Sequence, residues 1–380
     1  MGRPRTDVLL AGGGTAGHVV PALAVAGALV ARGHPPGALH FVGSARGQEA
    51  RLVPEAGFSV TLLPGRGIAR RLSRRAVVDN LGAVAGLARA VVRATAVVAR
   101  RRPAVVLSVG GYASVPAAAA AVLFRRPLVL HEQNAVPGSA NRLFGRFARA
   151  SAVSFEGTAL PRAVVTGNPV RPEIRALDRS PAGVAAARAA LGLPAGPVVV
   201  VAVVGGSLGS RRINQAVFEL VRAWSDRADV AVRHAVGARD WAAVQATLPR
   251  PPAGGLTYQP VEYEHRMPLL LAAADVVVCR SGGSVAELAA AGLPSVLVPL
   301  PGAPGDHQTA NAAALAGAGA AVVLPDAELT GGRLAAELGP LVGGPGATAR
   351  RSAMAAAAAA LGRPDAADRV ADLLERHARP

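Results

Sequence analysis

The sequence predicts an α/β fold of two parallel-sheet domains. Three observations predict it. Short apolar, β-branched runs alternate with alanine-rich helical stretches, the pattern of βαβ units. A strand, glycine turn and helix at residues 7–30 recur as a unit at 197–222. A chain of 380 residues, 51% hydrophobic, is long and apolar enough for more than one core.

The elements follow in order. "DVLLA" (7–11) reads as a strand that runs into Gly12, Gly13 and Gly14, with a helix from near Pro21. "LHFVG" (39–43), "AVVLSVGG" (104–111) and "PLVLHEQN" (127–134) read as further strands of the first domain. "PVVVVAVV" (197–204), the turn "GGSLGS" (205–210) and the helical "RRINQAVFELVRA" (211–223) open the second. "ADVVVCRSG" (274–282) and "PSVLVPL" (294–300) continue its sheet. The two prolines of "GNPVRPEI" (167–174) break regular structure. Domains are therefore expected over 1–168 and 169–346, with a helical segment over 347–380 packing near the interdomain region. In open parallel sheets ligands sit beyond the carboxyl ends of the strands. Every glycine-rich or polar motif here follows a strand, so the expectation is one cleft between two facing domains.

Composition narrows the function. The chain contains no lysine. That excludes a Walker A loop, a pyridoxal-phosphate enzyme and a protein kinase, each of which needs one. The single cysteine, Cys279, rules out an internal disulfide framework and fits a reducing compartment. The N-terminus lacks the pattern of a signal peptide, and no apolar run is long enough for a transmembrane helix, so a cytoplasmic protein is expected. The formal charge of +17 is unevenly placed. Residues 1–170 carry 21 arginines against six acids; the other 210 residues carry 20 against 18. "GRGIARRLSRR" (65–75) and "LARAVVRATAVVARRRP" (87–103) interleave arginines with apolar residues, as an interfacial surface for anionic lipid does. Arg70, Arg71, Arg74, Arg75, Arg89 and Arg93 are its candidates. With aromatics at 3% and no recognisable module, nucleic acid is not the expected partner.

Residues 12–17 satisfy G-x-G-x-x-G after a strand and before a helix. A dinucleotide site would place an acid at the end of the second strand. Gly43 and Ser44 stand there, and Glu49 lies well past it, which weakens the dinucleotide reading. The turn "GGSLGS" offers backbone N–H groups at a helix N-terminus, suited to a diphosphate, with the Ser207 hydroxyl and the Arg171 guanidinium as added donors. In "CRSGGSVAELAAAGLP" (279–294) Ser284 and Glu287 have the spacing of a capping box. A carboxylate so placed can also accept both hydroxyls of a ribose. "GDHQTANA" (305–312) carries neutral groups that read sugar hydroxyls. His18 suits a general base, since an imidazole's ordinary pKa is about 6.5. Glu132 is the competing base, or the group that orients its neighbours. No D-x-D and no His/Cys cluster of metal-ligand spacing occurs, so a metal-independent reaction without cofactor is expected.

"GGGTAGHVVP", "GGYASVPA" (110–118), "HEQN" (131–134), "GNPVR" (167–171), "GGSLG" (205–209), "CRSGGSVAE" (279–287) and "GDHQTANA" appear in this order. Together they resemble the MurG family, the N-acetylglucosaminyltransferases of peptidoglycan synthesis. The resemblance spans nearly the whole chain. It implies a GT-B architecture, UDP-GlcNAc in the C-terminal domain and lipid I at a membrane-facing N-terminal domain. It implies inverting transfer of GlcNAc to the 4-hydroxyl of the muramoyl unit, which gives lipid II. It also implies a peripheral protein on the cytoplasmic face of the cell membrane, beside other membrane-bound cell-wall synthesis proteins. By motif, Thr15, Ala16 and Gly17 border the donor sugar and diphosphate, and Asn134 contacts GlcNAc. Arg171 and Ser207 hold the diphosphate; Gly283, Ser284 and Glu287 face the donor, with Glu287 at the ribose; Gln308 reads sugar hydroxyls. Gly14, Tyr112 and Ser114 fall to the acceptor. Three features depart from the family pattern: Ala16 in place of glycine, a loop one residue shorter in 279–287, and Thr309 in place of a second glutamine. Other UDP-sugar enzymes of the same architecture, a UDP-GlcNAc epimerase among them, an NAD-dependent oxidoreductase and a non-catalytic membrane scaffold are the competing readings.

Overall fold

The computed structural model describes residues 7–64, 74–206 and 209–379, with the backbone alone for 74–85. The chain forms two compact units, Met1–Arg171 with Arg363–Pro380, and Pro172–Gly362.

The first unit begins with β1 (Val8–Gly13), α1 (Ala16–Ala31), β2 (Leu39–Ser44), α2 (Glu49–Glu55), β3 (Ser59–Leu63) and α3 (Arg74–Arg101). It continues with β4 (Val105–Gly111), α4 (Ser114–Leu123), β5 (Leu128–Glu132), α5 (Ser139–Phe144), β6 (Ala150–Val153) and β7 (Ala163–Val165). Its sheet has the order β3-β2-β1-β4-β5-β6-β7, with every pair parallel. The order reverses between β1 and β4, the point at which open parallel sheets bind ligands beyond their strand ends. The central strands are buried on both faces, which is why they read as unbroken apolar runs. Alanine excess is used in packing: Ala117, Ala118, Ala120 and Ala121 of α4 are buried against the sheet, where small side chains let the helix lie close.

The second unit repeats the plan. It holds α6 (Pro172–Arg175), α7 (Pro181–Ala190), β8 (Val199–Val204), α8 (Arg211–Ala223), β9 (Val230–Ala235), α9 (Ala238–Val244) and β10 (Thr257–Val261). Then come α10 (Met267–Ala273), β11 (Val276–Cys279), α11 (Ser284–Ala290), β12 (Ser295–Leu297), α12 (His307–Gly317), β13 (Ala321–Val323), α13 (Gly331–Val342) and α14 (Ala347–Leu361). Its parallel sheet runs β10-β9-β8-β11-β12-β13, reversing between β8 and β11. Val201, Val203, Val276, Val278 and Val296 form its core with Ile213, Val217 and Leu220 of α8.

The segment expected as one C-terminal piece over 347–380 is two helices. Gly362 caps α14, and Pro364 cannot continue a helix. α14 packs on α11 and α13 of the second unit. The last helix, α15 (Ala366–His377), belongs to the first: Ala367, Val370, Ala371, Leu373 and Leu374 join the core beside α1. Arg32 at the end of α1 pairs with Asp372 and Glu375 of α15, and the His34 ring bonds Glu375 at 2.9 Å. Among the described residues no helix is long and apolar enough to cross a membrane.

Candidate active site

In the first unit three strand ends converge. After β1, Gly13 and Gly14 take φ of +144° and +107°, a region that L side chains rarely adopt. The N–H of Gly14 donates to the Glu49 carboxylate. Thr15 begins α1 with extended backbone, yet its hydroxyl does not cap the helix. It shares a 3.0 Å hydrogen bond with Nδ1 of His18. That bond sets the half-buried imidazole with Nε2 toward Gly110, where a Cβ would stand 3.4 Å from it. Ala16 and Gly17 form the first turn of α1 and are half-buried.

After β4, Gly110 and Gly111 also have positive φ, and a Cβ on Gly111 would overlap the Gly13 carbonyl. The turn holding His18 and the "GGYAS" turn thus lie against each other. Tyr112 donates its hydroxyl to the Pro64 carbonyl at 3.2 Å. Ser114, expected on the acceptor surface, is fully buried and donates to the Gly111 carbonyl at 2.8 Å. Its hydroxyl shapes the turn and does not face outward.

After β5, Glu132 is buried, and both of its carboxylate oxygens accept N–H hydrogen bonds. The backbone and side-chain nitrogens of Asn134 donate to Oε1 at 3.1 and 3.2 Å. The Gly138 N–H and Asn141 Nδ2 donate to Oε2 at 2.9 and 2.8 Å. Asn141 also donates to the His131 carbonyl at 2.9 Å. Burial, with a smaller push from His18, holds the pKa of the enclosed His131 down to about 4, so that ring is neutral at pH 7. A carboxylate fixed by these donors is built to hold other groups in place. Arg171 closes the first unit.

In the second unit the loops after β8, β11 and β12 come together. Gly209, at φ +75°, packs so tightly on the Val236 carbonyl that a Cβ would overlap it, and Gly206, at +91°, opens to space. Ser207 lies outside the described residues. Ser210 starts α8, and its Oγ accepts a 2.7 Å hydrogen bond from Arg280 at the end of β11. The same guanidinium donates to the Val298 and Pro299 carbonyls, both at 3.1 Å, and pairs with buried Asp326 at 2.7 Å. Arg280 therefore ties three loops. Beneath them Asn214 donates to the Val236 carbonyl at 3.0 Å and accepts at 3.0 Å from His234, which also bonds the Tyr258 hydroxyl at 3.0 Å. Burial pushes the pKa of His234 down to about 3.

The expected capping box is absent: Gly283 holds the cap position, and exposed Ser284 lies inside the first turn of α11, bonded back to the Arg280 carbonyl at 3.3 Å. Glu287 stays in that first turn, half-buried. Gln308 accepts from the Leu300 N–H at 2.9 Å, and its Nε2 is 3.8 Å from a Cβ built on Gly282. The Ser281 hydroxyl donates to the Gln308 carbonyl at 2.7 Å. Gly283, Ser284, Glu287 and Gln308 thus share one end of the second sheet.

Two family models match, the glycosyltransferase family 28 N-terminal domain over residues 8–153 and its C-terminal domain over 200–370. A relative from Nocardioides sp. is 46% identical over 97% of this chain and 97% of its own length. One from Desulforudis audaxviator is 40% identical over 97% of this chain and 98% of its own. Both are named UDP-N-acetylglucosamine–N-acetylmuramyl-(pentapeptide) pyrophosphoryl-undecaprenol N-acetylglucosamine transferase. The crystal structure of Acinetobacter baumannii MurG matches with a TM-score of 0.73 at 29% identity, covering 97% of this chain and 99% of that one. The chain belongs to the MurG family. It is a glycosyltransferase, and its two parallel-sheet units are those of the GT-B architecture. A UDP-GlcNAc 2-epimerase from Neisseria meningitidis shares the fold at a TM-score of 0.66, but at 14% identity that likeness speaks for the fold alone.

Within this MurG-family chain, each unit adds two residues to its own strand-end loops that the sequence did not single out, Glu49 and Asn141 in the first and Arg280 and Asp326 in the second. Glu49, Asn141, Arg280 and Asp326 are polar, wholly or largely buried, and touch a loop that carries a motif residue. Polar and charged side chains that end up buried have to be paired or hydrogen-bonded, but nothing in the sequence marks these four as buried.

Proposed function

We propose that this chain moves GlcNAc from UDP-GlcNAc to the 4-hydroxyl of the muramoyl unit of lipid I, giving lipid II and UDP. The carrying observation is full-length identity of 40–46% to relatives named for that transfer. In this reading His18 accepts the proton of the 4-hydroxyl as that oxygen attacks the anomeric carbon. The bond from that carbon to the diphosphate breaks on the opposite face, and the configuration inverts. Charge on departing UDP falls to the turn at 205–210, the N-terminus of α8 and Arg171. Glu287 holds the ribose, Gln308 and Asn134 read sugar hydroxyls, and Glu132 holds Asn134. Purified protein given labelled UDP-GlcNAc and a lipid I analogue is expected to yield the disaccharide lipid. Conversion of the donor without acceptor, or no disaccharide product, overturns the assignment.

The acceptor's lipid tail implies a membrane surface. On α3, Arg89 and Arg93 are exposed beside Val91 and Val92, the latter 70% exposed. Arg70 and Arg71 lie outside the described residues, and Arg74 and Arg75 are described as backbone only. α3 packs along α4, whose end leaves Leu123 and Phe124 exposed, and the next residues, Arg125 and Arg126, line a crevice of about 380 Å³ together with Arg146 and Arg149. Each surface arginine adds about 1 kcal/mol of attraction to an anionic leaflet. The protein is expected to float with anionic vesicles and to leave them at high salt; equal flotation with neutral vesicles defeats this part.

A further inference from the structure

Three glycines from two stretches, Gly13 in one and Gly43 and Gly47 in the other, enclose one acid. A Cβ on Gly13 or Gly47 would overlap the Glu49 carboxyl, and a Cβ on Gly43 would lie 2.6 Å from that residue's Cβ. Glu49 itself is 2% exposed at the start of α2. One carboxyl oxygen accepts from the Gly14 N–H, 35 residues away in sequence, and the backbone N–H groups of Ser44 and of Glu49 itself also bond the carboxyl. Gly43 sits at the end of β2, where a dinucleotide-binding sheet presents an acid to a ribose. Here an acid reaches the neighbouring turn from the side and faces inward.

We propose that Glu49 is a positioning residue for the His18 turn. Its carboxyl fixes the Gly14 amide, and through Gly14 it holds Thr15 and the Thr15–His18 hydrogen bond in register with Gly110. It also occupies the amide that a glycine turn of this kind offers to a diphosphate, so the first turn serves the base and leaves the diphosphate to other groups. Burial raises the pKa of this carboxyl, which is consistent with a group chosen for reach and not for charge. The inference deepens the assignment of His18 as base and rests on it.

Reach and charge are separable. Glu49→Gln keeps the length and an acceptor oxygen but removes the charge. Glu49→Asp keeps the charge and withdraws the oxygen by one methylene. Displacement by about 1 Å at a reacting group costs on the order of 10²-fold in rate, so Glu49→Asp is expected to lower kcat by at least about tenfold. KM for UDP-GlcNAc stays within about threefold, because the groups that hold the nucleotide in this reading lie outside the His18 turn, and Glu49→Gln stays within about threefold of the parent kcat. A second readout needs no turnover: with glycine-selective ¹⁵N labelling, the Gly14 amide proton moves upfield in Glu49→Asp and far less in Glu49→Gln. Active Asp with inactive Gln, equal kcat in both, or a matched loss of kcat and donor affinity overturns the proposal. If the parent protein makes no disaccharide lipid, the functional reading fails while the Gly14 signal still tests the strut.

Discussion

His18→Ala lowers kcat by about a hundredfold or more, since a positioned general base contributes roughly 10²–10⁴-fold. UDP binding survives, because apart from Arg171 the groups assigned to the nucleotide lie in the second unit, and the substitution, in α1 of the first, alters neither them nor Arg171. Stability is expected to hold or rise slightly. His18 is the third residue of α1, is only half-buried, and alanine has the better helix propensity. The Thr15 hydroxyl, bound in the parent to His18 Nδ1 at 3.0 Å, becomes available to cap the helix it begins. A cap is worth about 1 kcal/mol, so the parent forgoes that stability to orient an imidazole. Turnover, isothermal titration with UDP, and thermal unfolding together check this. Near-parental turnover with a correctly folded protein would remove His18 from the role of base.

The readable part of this molecule is what burial on both faces of a parallel sheet imposes. β1, β4, β8 and β11 are runs of Val, Leu and Ala that end in glycine or in a short polar stretch, and the paired glycine turns follow from them. Outer strands carry less signal. β3 reads SVTLL, β7 is three residues with two of them exposed, and β10 contains Gln259 and Pro260, because a strand with one neighbour tolerates polar side chains and proline. At the site, glycine motifs were legible because a positive φ or a close backbone approach excludes other residues. Partners brought in by the register of the sheet were not. Glu49 meets Gly14 across 35 residues, and Arg280 meets Ser210 across 70; nothing local to either acid or arginine marks the contact. Ser284 shows the opposite error. The spacing to Glu287 fits a capping box, but Gly283 already has helical angles, φ −59° and ψ −20°, so the helix starts before the serine.

Glu132→Gln separates a base from a framework residue. As a base, Glu132 would need an oxygen directed at the acceptor. The carboxylate instead receives two N–H groups on each oxygen, from Asn134, Gly138 and Asn141. A glutamine keeps one oxygen. Whichever pair that oxygen serves, the amide NH₂ meets the other two donors, which are then buried unpaired at about 1–3 kcal/mol each. The first unit is therefore expected to lose a few kcal/mol of stability, and Asn134 and Asn141 to shift. A displacement of about 1 Å in groups that place a sugar or an imidazole costs on the order of 10²-fold, so kcat falls by that much. The pH profile makes the distinction. With His18 as base, residual activity in Glu132→Gln keeps the acid limb of the parent, since the imidazole still has to be unprotonated to accept the hydroxyl proton. If Glu132 were the base, that limb would vanish, and His18 would then be left to bind or orient.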